Sequence, residues 1–222
     1  MVKPASWEDP FENFLLQAKA KIGAEVARLE GLREKLYGQS WMACAESDAM
    51  WRIYSKVPTK GSRDLTDEVG VKVRTKVGKL FPALFNSSNN APELCFWAGR
   101  VNYLTQEGLN ALVADNDLME SWVTDATGKG HVQSLLIKRD AFDHEREVRL
   151  IYDANNGYDY EANPLYFFGI DPNGVFEEII LDPRLSEQHS NEIGAAIRDA
   201  GYTGPVSQSS LYLPPQYTVT IA

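Results

Sequence analysis

Near the start of the chain, apolar residues recur at steps of three and four: Phe11, Phe14, Leu15, Ala18, Ile22, Val26, Leu29, Leu32 and Leu36. That spacing places them on one stripe of an α-helix, with the Lys, Glu and Arg between them on a solvated face. The run Trp7-Glu8-Asp9-Pro10-Phe11-Glu12 supplies a start signal. Asp9 can accept from the first free N–H groups, Pro10 sits where its missing N–H costs nothing, and Glu12 completes a capping box. Gly38 is the expected stop. The pattern therefore predicts a long N-terminal helix.

Beyond Gly38 the period changes. Ser40-Trp41-Met42-Ala43-Cys44-Ala45 reads as a short buried strand, and Ser47 or Asp48 opens a short helix carrying Met50, Trp51 and Tyr54. Residues 69–75 alternate with period two, as a half-buried strand does, and a short helix follows. The polar, breaker-rich stretches 58–68 and 86–93 read as loops. Residues 95–104 read as a strand and 106–123 as a helix on Leu109, Leu112, Val113, Leu118 and Trp122. Segments 135–140 and 145–151 flank a turn, and Asn155-Asn156-Gly157 marks another. Strands are expected at 165–170 and 175–181, joined by Asp171-Pro172-Asn173-Gly174. A helix over 186–200 stops at Gly201, and a last strand covers 205–213. Helices and strands mix without a βαβ rhythm, which predicts an α+β fold with a mixed, mostly antiparallel sheet. No repeat or composition break appears, so residues 1–222 read as one globular domain.

Composition narrows the class. With 222 residues, 44% apolar and 24% charged, the chain can bury a sizeable core. Its net charge of −9 argues against nonspecific binding to nucleic acid or anionic lipid. No apolar run reaches membrane-spanning length, and no secretion signal opens the sequence, which points to the cytoplasm. Cys44 and Cys95 then read as reduced thiols. Three histidines without metal-ligand spacing disfavour zinc, and the glycine fingerprints of dinucleotide folds, P-loop enzymes and α/β-hydrolases do not occur.

Candidate chemistry concentrates between Lys138 and Arg149, where Arg139, Glu145, Arg146 and Glu147 also lie. As a strand, Glu145, Glu147 and Arg149 share one face, about 6.5–7 Å apart in succession. Two carboxylates and a guanidinium on one surface suit ribose or phosphate binding and acid–base work. As a helix, Glu145 and Arg149 are instead an i,i+4 surface pair. A solvated ion-pair network is the plainer alternative. Trp51 and Tyr54, three residues apart, are either core or a stacking platform for a nicotinamide, adenine or nucleobase. Ser207-Gln208-Ser209-Ser210 offers hydroxyls to a phosphate or simply ends a strand.

In this order, the segments resemble a bacterial family catalogued as domain of unknown function 2971. The matching features are Trp7 to Glu12, Ser47 with Met50-Trp51-Arg52-Ile53-Tyr54, and Gly70-Val71-Lys72-Val73. Lys138, Phe142, Glu145-x-Glu147-x-Arg149, Ile179-Ile180-Leu181 and Ser209 continue the match nearly to its end. Members of that family carry several tens of residues before the Asp-Pro-Phe-Glu segment, and a shorter loop before Gly70. The resemblance thus implies a domain without its first strand. The Glu-x-Glu run is also similar to that of ADP-ribosyltransferases, enzymes that use NAD as co-substrate. By that likeness Glu147 would hold the nicotinamide ribose and stabilise the oxocarbenium-like centre, and Glu145 would serve the acceptor. Trp51 or Tyr54 would pack on the nicotinamide, and Arg149 or Lys138 would neutralise phosphate. The likeness lacks a first-strand Arg or His and a Ser-Thr-Ser motif. It implies a nucleotide or NAD-like partner and a protein or nucleic-acid acceptor, with toxins and anti-phage effectors as one setting. Two other readings stand beside it: a non-catalytic binding or sensor module with a structural Glu/Arg network, and a metal-dependent nuclease using Glu145, Glu147 and Lys138.

Overall fold

The computed structural model describes residues 1–22, 25–57, 68–86, 95–154, 159–218 and 220. The loop expectations at 58–68 and 86–93 and the turn at 155–157 therefore lie outside the described residues, but for Glu68 and Asn86.

The N-terminal stripe does not form a helix. Three 3₁₀ turns, Pro4–Ser6, Pro10–Asn13 and Leu15–Gln17, lead into β1 (Lys19–Ile22) and β2 (Glu25–Arg28), an antiparallel pair, and then the single-turn α1 (Glu30–Arg33). Burial explains the difference. A helical stripe would expose Glu12, Asn13 and Leu16, yet these are 7%, 2% and 0% exposed, while stripe member Val26 is 61% exposed. The segment buries residues around its whole circumference, which one amphipathic helix cannot do. Polar side chains fix the turns: Asn13 Nδ2 donates to the Pro4 carbonyl at 2.7 Å, and Asp9 Oδ1 accepts from the Phe11 N–H at 3.1 Å.

The chain continues through β3 (Leu36–Met42), α2 (Asp48–Tyr54), β4 (Val71–Thr75), α3 (Val77–Asn86), β5 (Phe96–Arg100), β6 (Asn102–Leu104), α4 (Gln106–Ala114) and α5 (Asn116–Thr124). Then come α6 (Lys129–Ser134), β7 (Ile137–Arg139), a 3₁₀ segment (Asp140–Glu145), β8 (Glu147–Asp153), α7 (Pro172–Val175), β9 (Phe176–Leu181), α8 (Glu187–Asp199) and β10 (Val206–Gln208). The fold is α+β, with mixed sheets. The helix expected over 106–123 is interrupted at Asp115, whose side chain accepts from the Leu118 N–H and so restarts the helix, as Thr105 starts the first half. The stretch 165–170 forms no strand beyond a bridge from Leu165 to Val2, and the last strand is shorter than expected. Gly201 ends α8 at φ +92°, the stop expected there.

These elements group into two compact units. The first contains Met1–Cys44 and Leu84–Gly169, the second Ala45–Ala83 and Ile170–Ala222, with one boundary inside α3. In the first unit β8 is the central strand, antiparallel to β3 on one side and β5 on the other. Leu150, Ile151 and Tyr152 are buried on both faces of it. One core cluster holds Leu16, Leu36, Val132, Leu135 and Ile151, and a second holds Leu15, Leu29, Leu109, Trp122 and Ile137. An aromatic stack adds Phe96 on Tyr152 (4.9 Å between centroids) and Tyr152 on Tyr166 (4.0 Å). Cys95 is buried and Cys44 half-buried, and both are free thiols. In the second unit β9 is central, antiparallel to β4 and parallel to β10. Arg184 closes the end of α2 there, donating to the carbonyls of Trp51 (2.7 Å) and Ser55 (2.8 Å).

Gly38, expected as a helix stop, lies in the middle of β3. The Trp7 indole packs so tightly on it that a Cβ would stand 2.5 Å from Cζ2 of the ring. Gly38→Ala should therefore cost about 1–3 kcal/mol, an overpacking penalty, measured as a lower urea midpoint at unchanged slope. Stability equal to the parent would contradict this packing.

Candidate functional site

Four elements of the first unit converge on one ammonium group. Lys138, on β7, is accompanied by Glu147 and Arg149 from β8, Glu145 from the end of the 3₁₀ segment, and Glu12 from the turn Pro10–Asn13. Lys138 Nζ lies 2.9 Å from Glu12 Oε1 and 2.6 Å from Glu147 Oε1, and it also donates to Glu145 Oε2. Arg149 is spread between three acceptors. Its Nε donates to Glu147 Oε2 at 2.7 Å, one terminal nitrogen to Glu12 Oε2 at 2.7 Å, and the other to the Leu135 carbonyl at 2.6 Å. The Trp7 ring covers the guanidinium at 4.4 Å. Ser40, opposite Arg149 on β3, donates to Glu147 Oε2 at 2.9 Å, and Tyr103 Oη accepts from the Glu147 N–H at 2.8 Å.

Strand alternation puts Glu147 and Arg149 on one face, but it does not deliver Glu145. Arg146, between the two glutamates, takes φ 45° and ψ 51°, and it has the one positive φ among the described non-glycine residues. This left-handed step turns Glu145 back so that its carboxyl meets the Lys138 ammonium that Glu147 also binds. A second ion pair extends the cluster: Arg139 donates to both oxygens of buried Asp9, at 2.9 and 3.2 Å, and its guanidinium lies 4.6 Å from the Phe11 ring.

Burial sets the electrostatics. Arg149 is fully buried, and the side chains of Lys138, Glu147 and Glu12 are between 6% and 9% exposed. Burial alone would raise the Glu147 carboxyl, but hydrogen bonds from Glu145 and Arg149 outweigh it and hold it well below the usual carboxylate range. Burial likewise opposes the charge on Lys138, yet bonds to Glu145, Glu147 and Glu12 raise it above its ordinary value. Glu145 moves the other way, raised by burial and by its hydrogen bond to Glu147. Burial and their shared surroundings thus move the two neighbouring carboxyls in opposite directions.

The expected residues Lys138, Glu145, Glu147 and Arg149 are thus brought together. Trp51 and Tyr54 belong to the second unit. Trp51 is buried there, its indole N–H donating to Glu46 Oε1 at 2.8 Å, so its role in that unit is core packing. Tyr54 is 68% exposed and lines a cavity of about 440 Å³ with Ile53, Val69 and Gly70. In the serine run, Ser207 donates to Glu178 and Ser209 to Glu46. Sequence reading missed Glu12, Trp7, Ser40 and Tyr103. Only Glu12 carried a local signal, and capping accounted for it.

Among the described residues no group of three His, Cys, Asp or Glu is placed to hold a metal ion, and the point where three carboxylates meet is taken by Lys138. No described helix is long and apolar enough to cross a membrane. Compared with protein-family models, curated proteins and solved structures, the chain finds no match.

Removing one member strands the others in a buried site. Lys138→Met should destabilise the fold by about 3–5 kcal/mol in chemical unfolding, and a cost within error of zero would contradict the burial described. The acid limb should carry the signature of Glu147. Its depressed folded pKa contributes stability above the ordinary value of 4.5 that is lost as pH falls through the folded one. Glu147→Gln should therefore flatten the decline of stability below pH 4.5, read from melting temperatures across an acid series. An equally steep decline would assign it to other carboxyls.

Proposed function

We propose that this chain is a non-catalytic binding or sensor module, in which Glu12, Lys138, Glu147 and Arg149 form a structural keystone. Engagement of both Glu147 oxygens in a buried network carries the reading. Glu147 Oε1 accepts from Lys138, and Oε2 accepts from Arg149 and Ser40. A reacting carboxylate needs access to its substrate, and here both oxygens are engaged within a buried cluster. The network joins the N-terminal turns to the central strand, which is structural work. The resemblance to domain of unknown function 2971 accords with a bacterial, cytoplasmic setting and leaves the ligand class to experiment.

A second reading is favoured by the Glu145–Glu147 pair and the strained Arg146 between them. Backbone strain and split carboxyls gather where chemistry is done. On that reading the chain is an ADP-ribosyltransferase-like enzyme of toxin or anti-phage type. Glu147 addresses the ribose of NAD, Glu145 the acceptor, and Lys138 or Arg149 the phosphates. A metal-dependent nuclease has less support, since a divalent ion would have to displace Lys138.

One variant separates them. Under the keystone reading Glu147→Gln lowers the melting temperature by several degrees, and millimolar NAD or ADP-ribose shifts neither protein nor releases nicotinamide. Nicotinamide release by the parent, abolished in a Glu147→Gln protein of unchanged stability, would overturn it for the enzyme. Cleavage of nucleic acid that chelator stops would favour the nuclease.

A further inference from the structure

The second unit presents a segment that none of these readings uses, Leu213-Pro214-Pro215-Gln216-Tyr217. It follows a firm anchor. Tyr212 Oη donates to Asp48 and accepts from Arg52 at 3.0 Å, while the Leu211 N–H donates to Ser209 Oγ at 3.1 Å. The Leu213 N–H closes a last turn on the Ser210 carbonyl at 3.0 Å. Past that turn the backbone is neither helix nor strand, and Leu213 and Tyr217 are 70% and 85% exposed.

Two successive prolines restrict this stretch. Each fixes its own φ and pushes the residue before it to extended backbone, so Leu213 and Pro214 are held in the extended, polyproline II-like region. That helix has three residues per turn and rises about 3.1 Å per residue. Continued through Gln216, that helix would set Pro214 and Tyr217 on the same edge, about 9 Å apart. The two prolines thus reduce the entropy lost when this exposed segment, with its proline and tyrosine, is bound. No charged residue occurs between Asp199 and Ala222, so an ion pair from the segment contributes nothing to recognition.

The geometry points to Leu213–Tyr217 as a ligand for a proline-recognition module, a partner protein whose groove clamps a proline between aromatic rings and takes a tyrosine alongside. Binding of this kind uses an exposed, proline-stiffened segment, and these residues supply an uncharged Pro-Pro-x-Tyr one. A flexible peptide of equal composition would bind less well because it must be ordered first.

The test is titration of the full chain against an isolated WW domain, the smallest module with such a groove, followed by its tryptophan fluorescence. Saturable binding is expected, weakened about tenfold or more by Pro214→Ala and by Tyr217→Ala, with melting temperatures unchanged. Absence of binding, or binding that both variants retain, would overturn the assignment. So would sedimentation showing that the segment drives self-association lost in Tyr217→Ala, which would make a second copy its partner.

Discussion

Arg149 carries a charge that cannot be titrated away, in a position without solvent contact. Moving a guanidinium out of water costs several kcal/mol even after relaxation, so the fold must surround it with acceptors. Glu147, Glu12 and the Leu135 carbonyl provide them, and the face of Trp7 covers the plane. The rest of the first unit follows from that requirement. Glu147 must be ionised, so Lys138 and Ser40 attend it. Glu12 must reach inward, so its segment coils into turns instead of running as a helix. Trp7 must lie flat over the charge, so β3 carries a glycine where the indole passes. The network spans three separate stretches of sequence and holds them in register, whatever its net energy against an apolar core of the same shape.

The same chain of dependence explains how much could be read beforehand. Glu147 and Arg149 share a face because strands alternate, and Lys138 lies within a few residues, so the cluster was visible in local sequence. Glu12 was not, because a carboxylate three residues after an N-cap has a sufficient local explanation. Its actual partner is 137 positions away. The N-terminal stripe misled for a related reason. Its period matches a helix, but Leu16, Asn13 and Glu12 all point into protein, and tertiary contacts overrode the propensity. Tyr103 and Ser40 reach Glu147 through strand neighbours that no spacing rule connects. The α+β class survived these errors because it rests on the count and order of elements. In the second unit, the short helix at Trp51, the cap at Ser186 and the stop at Gly201 stand where propensity put them.

Functional weight therefore shifts from the residue types to their saturation. Two glutamates, a lysine and an arginine in twelve residues read equally well as a reaction centre or a scaffold. The distinction lies in whether any lone pair faces outward. Glu145 is the least buried of the three carboxylates, at 15% side-chain exposure. It marks the place where the two readings meet.

The way the sequence is divided between the units has a consequence for how the protein is made. In the first unit β3 finds its sheet partner in β8, and in the second β4 finds its partner in β9. During synthesis, β3 and Glu12 leave the ribosome more than a hundred residues ahead of β8. Neither unit can close until its later half arrives, and the loop-closure entropy of joining them falls late in folding. Until then Leu16, Leu36 and Tyr37 have no completed core to enter. The nascent N-terminal half is thus a period of exposed apolar surface, when association with a chaperone or another chain competes with folding.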